Sequence, residues 1–246
     1  MAASIVWHLA LLVSINQVMP VNREKGNIIL EHKERYWSRF ARTFDEDQEY
    51  VVGKTILQAI DKRLSEECYL GDVIEFGCGT GYFTKAIAKK ARHVIATDLS
   101  DEMLEMARSQ LKEFQNISIQ RANCEATSFP SERFDTVFIA NLIHVLINPI
   151  KVLQESHQIL RNEGLLLIVD FTGYSMSWFE KMKLGIRYLR KWGMPPRYAR
   201  NNLSPGELTS FLENVDFKVE EVQLIGDRTK ALYVRGSKKR CIQSAS

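Results

Sequence analysis

The stretch Val73-Ile-Glu-Phe-Gly-Cys-Gly-Thr-Gly-Tyr-Phe-Thr84 decides how this chain folds. An apolar run with one carboxylate, Glu75, leads into glycines at 77, 79 and 81. Without Cβ atoms the backbone can turn sharply there, and a ligand can approach its N–H groups before a helix that starts near Gly81-Tyr82. The spacing is G-x-G-x-G, not the G-x-G-x-x-G of dinucleotide sites, and no Lys-Ser or Lys-Thr closes it as in a phosphate loop. That argues against a pyrophosphate ligand while keeping a nucleotide-like one.

A second strand, His93-Val-Ile-Ala-Thr-Asp98, ends in a carboxylate 21 positions after Gly77. An open parallel sheet places such a group where it can accept hydrogen bonds from ribose hydroxyls. Asp98 could instead cap the helix that begins at Asp101, but Ser100 and Asp101 cap at least as well, so Asp98 is assigned to the ligand.

Helices are expected near 81–91, 101–113, 149–161 and 205–214. Strands are expected near 72–76, 93–97, 117–121, 134–140 and 164–170, and this alternation calls for a parallel sheet covered on both faces. Phe217–Ile225 and Thr229–Arg235 read as two further strands around Gly226-Asp227. The fold class is α/β: a doubly wound, mostly parallel seven-stranded sheet with a C-terminal antiparallel strand. A helical N-terminal cap and a helical insertion after the fifth strand complete it. The cap is expected as two helices, Leu30–Ala41 and Glu49–Leu64, the second with apolar residues at 51, 52, 56, 57, 60 and 64 on one face.

Taken together, these blocks resemble the class I S-adenosylmethionine-dependent methyltransferases, in particular small-molecule enzymes with a "type 11" domain. Glu75-Phe-Gly-Cys-Gly-Thr-Gly81 is similar to their first motif, and Asp98 to their acidic residue after the second strand. Arg121-Ala-Asn-Cys-Glu-Ala-Thr-Ser-Phe-Pro130 resembles the "G-D-A-E-x-L-P-F" segment. Phe134–Leu146 and Gly164–Asp170 are similar to the fourth and fifth strands, so the likeness covers residues 70–172.

The resemblance implies S-adenosyl-L-methionine as methyl donor and S-adenosyl-L-homocysteine as product. It also implies the site. Gly77, Cys78, Gly79 and Gly81 face the methionine moiety, and Glu75 lies near its ammonium. Asp98 takes the ribose hydroxyls and Leu99 packs on the adenine. Asn123, where the family usually has Asp, and the Cys124 N–H meet the adenine edge; for Asn123 a plain turn role competes. Ala140 and Asn141 fall beside the methionine amine and sulfonium. His144 stands where many relatives have a histidine near the methyl path, as general base or as a pocket-shaping residue. The lead-in Tyr36-Trp-Ser-Arg-Phe-Ala-Arg-Thr-Phe-Asp-Glu46 resembles a cofactor-covering segment. It places Trp37 and Phe44, with Tyr174 and Trp178 of the insertion, around the acceptor, although Phe44 lacks the hydroxyl of the family's Tyr.

The domain organisation that follows is an apolar extension over 1–28 and one methyltransferase domain over 29–246. The latter divides into cap helices (29–69), a cofactor-binding core (70–172), an acceptor-side insertion (171–204) and a closing helix with a strand pair (205–237). A chain of 246 residues is long enough for this architecture, and its net charge of +3 names no partner. Cysteines at 68, 78, 124 and 241 form no C-x-x-C pair, which points away from a metal site and toward a reducing, cytoplasmic compartment. Ser4–Ile15 is apolar but shorter than the ~20 residues of a spanning helix. It reads as a packed helix, a membrane-surface contact or a non-native extension before Met19.

Residues 171–204 hold seven bases against Glu180 alone, a local charge of +6 that leaves −3 on the rest of the chain. Within it, apolar residues at 178, 182, 186, 189 and 193 define one face. Three readings stay open: a lid with a solvated basic face, a membrane-surface helix over 178–193 acting together with residues 1–18, or a groove for an acidic acceptor. Nucleic acid is disfavoured, since no Asn-Pro-Pro-Tyr, Pro-Cys or RNA-binding module is present. The expected function is methyl transfer to a small molecule. The alternatives are a lipid or quinone-precursor methyltransferase at a membrane surface, and a non-catalytic adenosylmethionine-binding subunit.

Overall fold

The computed structural model describes residues 35–195 and 202–240. The expectations for residues 1–28, and for Arg197 and Arg200, lie outside the described residues.

The chain runs α1 (Phe44–Val52), α2 (Lys54–Ser65), β1 (Gly71–Phe76), α3 (Thr84–Ala88), β2 (Ala91–Asp98), α4 (Asp101–Leu111) and β3 (Ile117–Arg121). It continues through β4 (Phe134–Ala140), a 3₁₀ turn (Ile143–Val145), α5 (Pro149–Ile159), β5 (Leu160–Thr172), α6 (Trp178–Trp192), α7 (Pro205–Glu213), β6 (Phe217–Ile225) and β7 (Lys230–Lys238). The seven strands form one sheet in the order β3-β2-β1-β4-β5-β7-β6. Strands β1 to β5 pair in parallel, and β7 runs antiparallel between β5 and β6. The doubly wound α/β class with its antiparallel C-terminal strand is therefore the fold of this protein.

The central strands are buried on both faces and alternate between two layers. Val73, Val94, Ala96, Phe138, Leu167 and Val169 pack under α1 to α4 and the end of α6. Their neighbours Ile74, Ile95, Val137, Ile139, Leu166 and Ile168 pack under α5 and α7. Cofactor-type crevices form where consecutive crossovers leave a strand on opposite sides, and here that point is β1, flanked by β2 and β4. Register brings the strand ends level: Phe76 lies beside Thr97 and Ile139, and Ala140 beside Val169. The residues that follow, Gly77, Asp98, Asn141 and Asp170, thus share one edge of the sheet.

Three expectations for local structure are corrected. The cap helix anticipated over Glu49–Leu64 is two helices, because Gly53 has φ 94°, a left-handed value no helix interior accommodates. Of the helix anticipated over Leu30–Ala41, the described part is helical only at 35–38 and continues as turns to Thr43. The helix after the glycine loop is also short, starting at Thr84, because the loop spends residues 77–83 turning back toward β2.

Candidate active site

All three glycines of the loop have positive φ (69°, 53° and 84° at 77, 79 and 81), which explains why glycine recurs at alternate positions. A Cβ at Gly81 would meet Leu111 Cδ1 at 2.6 Å, and one at Gly77 would meet Leu142 at 3.2 Å. At Gly79 there is nothing within 4 Å. The loop is therefore packed at its two ends and open at its middle, where a ligand could approach the backbone.

Asp98 closes this loop from β2. Its Oδ2 accepts from the Gly79 N–H at 2.9 Å and its Oδ1 from the Ser100 N–H at 2.9 Å. Helix α4 is capped by Ser100, whose Oγ accepts from the Met103 N–H. The helix therefore does not need Asp98.

Glu75 is 1% exposed, and its Oε2 accepts from Thr84 Oγ1 at 2.6 Å. Burial pushes its carboxyl up to about 8; the Thr84 hydrogen bond opposes that and the nearby Asp98 charge adds to it. A cation beside this pair of carboxylates would relieve both the burial and the repulsion. Burial likewise raises the Cys78 thiol well above its ordinary value, which makes it a packing residue rather than a nucleophile.

At the ends of β4 and β5, Asn141 adopts φ 53°, and its N–H donates to Val169 O at 2.8 Å. The turn it starts presents His144 to Asp170. The His144 N–H donates to Asp170 Oδ2 at 3.1 Å, and Nδ1 is hydrogen-bonded to Oδ1 of the same carboxylate. Asp170 is fully buried while the His144 side chain is 18% exposed. Carboxylate–imidazole pairing of this kind holds the proton on Nδ1 and leaves Nε2 as an acceptor.

The remaining expected residues divide. Cys124 and Ala140 are buried and Leu99 half-buried at the same edge. Asn123 takes the turn role, its Oδ1 accepting from the Glu125 N–H at 2.9 Å. Trp37 and Phe44 pack on each other and on Trp192 at centroid distances of 5.6–5.9 Å. Tyr174 and Trp178 are not in that cluster; Trp178 is 60% exposed.

Several participants were not expected. Asp170 had one sequence signal, a carboxylate ending the apolar run Leu165–Val169. Asp45 accepts from Thr80 Oγ1 at 2.5 Å and from Gln110 Nε2 at 2.7 Å, tying the cap to the glycine loop and to α4. Ser38 Oγ lies 2.7 Å from Ser100 Oγ, a second tie beside Asp98. These contacts join distant segments and had no local signal.

A glycine loop open at its centre, an acidic residue after β2 and a seven-stranded sheet with β7 inserted antiparallel are the features of a Rossmann-like methyltransferase fold. Residues 74–168 match the family described as "Methyltransferase domain", and over this segment the chain is similar to S-adenosylmethionine-dependent methyltransferases. It is 32% identical over 111 residues to a "Probable S-adenosylmethionine-dependent methyltransferase" of Mycobacterium tuberculosis, covering 45% of this chain and 39% of that protein. Against a ubiquinone/menaquinone biosynthesis C-methyltransferase of Citrifermentans bemidjiense it is 29% identical over 118 residues, covering 46% and 50%. The chain thus spans half or less of these relatives' lengths. Among solved structures, an S-adenosylmethionine-dependent methyltransferase of Aquifex aeolicus shares the fold with TM-score 0.60, at 18% identity over 81% of this chain and 97% of that one.

Proposed function

We propose that this protein transfers a methyl group from S-adenosyl-L-methionine to a small-molecule acceptor that gives up a proton to His144. The observation that carries the reading is the shared strand edge, where Asp98 and the open backbone at Gly79 lie opposite the His144–Asp170 pair. The donor-side residues suit the cofactor's chemistry: a carboxylate for a ribose diol, a buried acid that favours a neighbouring ammonium, and a glycine with no side chain in the way.

In this reading Asp98 accepts from the ribose hydroxyls, and Glu75 ionises beside the methionine ammonium. Leu99, the Asn123 amide and the Cys124 N–H border the adenine, while Ala140 and Asn141 border the methionine. The cofactor supplies a methyl already activated by its sulfonium. The protein's part is in-line placement and exclusion of water, and well-oriented proximity is worth ~7–11 kcal/mol. His144 Nε2 accepts the acceptor's proton as the methyl arrives, and Asp170 stabilises the imidazolium that results. The cap, tied down through Asp45 and Ser38, closes the donor side. A quinone precursor is the second reading for the acceptor, favoured by the name of the Citrifermentans relative.

Melting the purified protein with S-adenosylmethionine or S-adenosylhomocysteine tests donor binding: ligand at 100 times its Kd stabilises by ~2.7 kcal/mol. Incubation with methyl-labelled cofactor and fractionated metabolites, read by mass spectrometry, identifies the acceptor. No melting shift with either ligand, or a shift undiminished in Asp98→Ala, overturns the reading.

A further inference from the structure

Helix α6 has two apolar faces, and only one of them is used inside the protein. The inner face is Leu184, Tyr188 and Trp192, spaced four apart, which pack on the core beneath α1 and α2. Two hydrogen bonds fix this orientation: Tyr36 Oη lies 3.1 Å from Tyr188 Oη and donates to Trp192 O at 2.9 Å. The face the sequence marks as apolar, 178, 182, 186 and 189, lies roughly 120° further round at 100° per residue. Trp178 and Ile186 on it point away from the body, while Met182 and Leu189 are half-buried along it. Trp178 is 60%, Phe179 64% and Ile186 40% exposed, and Met194 just beyond the helix is 67% exposed. Five of the seven exposed large apolar side chains among the described residues fall between 174 and 194. A concentration of this kind in one segment marks a contact surface rather than scattered exposure.

Charge indicates what that surface meets. Helix α6 carries five bases and one acid, a charge of +4 against +3 for the whole chain, so the remainder is slightly acidic. Lys191 pairs with Asp47 at 2.7 Å and Lys183 with Glu180 at 3.4 Å. Arg187 and Arg190 enter no ion pair among the described residues. Both lie beside the exposed stripe, where 100° per residue places them together with Lys183 along one of its edges. Aromatic and aliphatic side chains fringed by bases are the pattern of a helix lying in a lipid–water interface. Fifteen residues span about 22 Å as a helix, too short for a ~30 Å hydrocarbon core. No described helix is long and apolar enough to cross a membrane.

We propose that α6 seats this protein on an anionic lipid surface, with Trp178, Phe179 and Ile186 entering the interface and Arg187 and Arg190 engaging the lipid phosphates. The proposal goes beyond the methyltransferase reading and does not rest on it. It would place the end of β5, with Asp170, one short loop from the lipid, so an amphiphilic molecule held in that surface would lie near His144.

The test is co-sedimentation of the full-length protein with phosphatidylcholine vesicles, with and without added phosphatidylglycerol. Binding is expected only with the anionic lipid and should weaken in high salt. Trp178→Ser/Phe179→Ser and Arg187→Gln/Arg190→Gln should each lower partitioning about tenfold or more, consistent with the worth of a base near an anionic leaflet. Circular dichroism and melting curves confirm that both variants remain folded. Trp178, Phe179 and Arg190 are exposed and Arg187 is half-buried, and the conservative Arg→Gln pair provides a second route if the aromatic pair misfolds. Failure of the wild type to sediment with anionic vesicles overturns the proposal. So does sedimentation undiminished in both variants, which would assign binding to another segment such as residues 1–18. Wild-type self-association abolished by Trp178→Ser/Phe179→Ser would assign the stripe to a second copy of the chain and equally overturn it.

Discussion

His144 and Asp170 are joined twice: one carboxylate accepts the His144 backbone N–H at 3.1 Å and also bonds the ring Nδ1. The two residues lie 26 positions apart, on a turn after β4 and in β5. The two hydrogen bonds hold the turn and the imidazole against the same carboxylate, the arrangement a proton-accepting Nε2 would need.

From this pairing, Asp170→Asn should lower kcat as much as His144→Ala, within the ~10²–10⁴-fold range of general-base catalysis. An asparagine amide can donate to Nδ1 and so place the ring proton on Nε2. The double variant should be little worse than either single one, because the pair acts as a unit. Steady-state rates across pH, with cofactor affinity measured separately, check this. Near-native rates in both single variants would leave the pair a packing element.

Asp98→Ala should weaken cofactor affinity by about tenfold to a hundredfold, the ~1–3 kcal/mol of a lost charged acceptor. The variant also removes the partner of the Gly79 N–H, so loop order and ribose contact are lost together. Titration calorimetry with S-adenosylhomocysteine reads it directly.

Glu75 makes the ligand-free protein sensitive to pH. Its carboxyl is pushed from an ordinary 4.5 up to about 8, chiefly by burial, so the folded chain holds a proton that the unfolded chain releases. The stabilisation from that proton is complete below pH 4.5 and lost as pH rises through about 8. In Glu75→Gln this contribution to the fall in melting temperature over that window should disappear, leaving the variant the more stable protein above pH 8. Cofactor affinity should fall in the same variant, since the ammonium loses its counter-charge. A wild-type melting slope unchanged by the substitution would sink this account.

Asp45→Ala should loosen the cap. Thr80 and Gln110 both lose their acceptor, and Thr80 is 1% exposed, so about 1–3 kcal/mol of stability is at stake. Limited proteolysis should cut faster near Gly53 and the preceding turns, with bound S-adenosylhomocysteine restoring protection. Cleavage at the wild-type rate would show that the aromatic packing on Trp192 holds the cap alone.

Much of this protein was legible along the chain. Apolar periodicity set the order and kind of the elements, because a strand buried on both faces and a one-sided helix leave different patterns in sequence. The glycine spacing identified the loop, since only positive φ at 77, 79 and 81 makes glycine recur there. Asp98 was not needed as a helix cap, because Ser100 already satisfied the helix start. The tertiary structure decided what depends on register and packing partners. Asp170 meets His144 because parallel pairing levels the ends of β4 and β5, and Asp45 reaches Thr80 because the cap folds across the loop; neither approach has a local signature. Gly53 splits a helix that its neighbours would have continued. In α6 both faces are apolar enough to be buried, so composition alone could not choose between them. The aromatic seam of Tyr36, Trp37 and Phe44 took Tyr188 and Trp192, and Trp178 and Ile186 were turned outward.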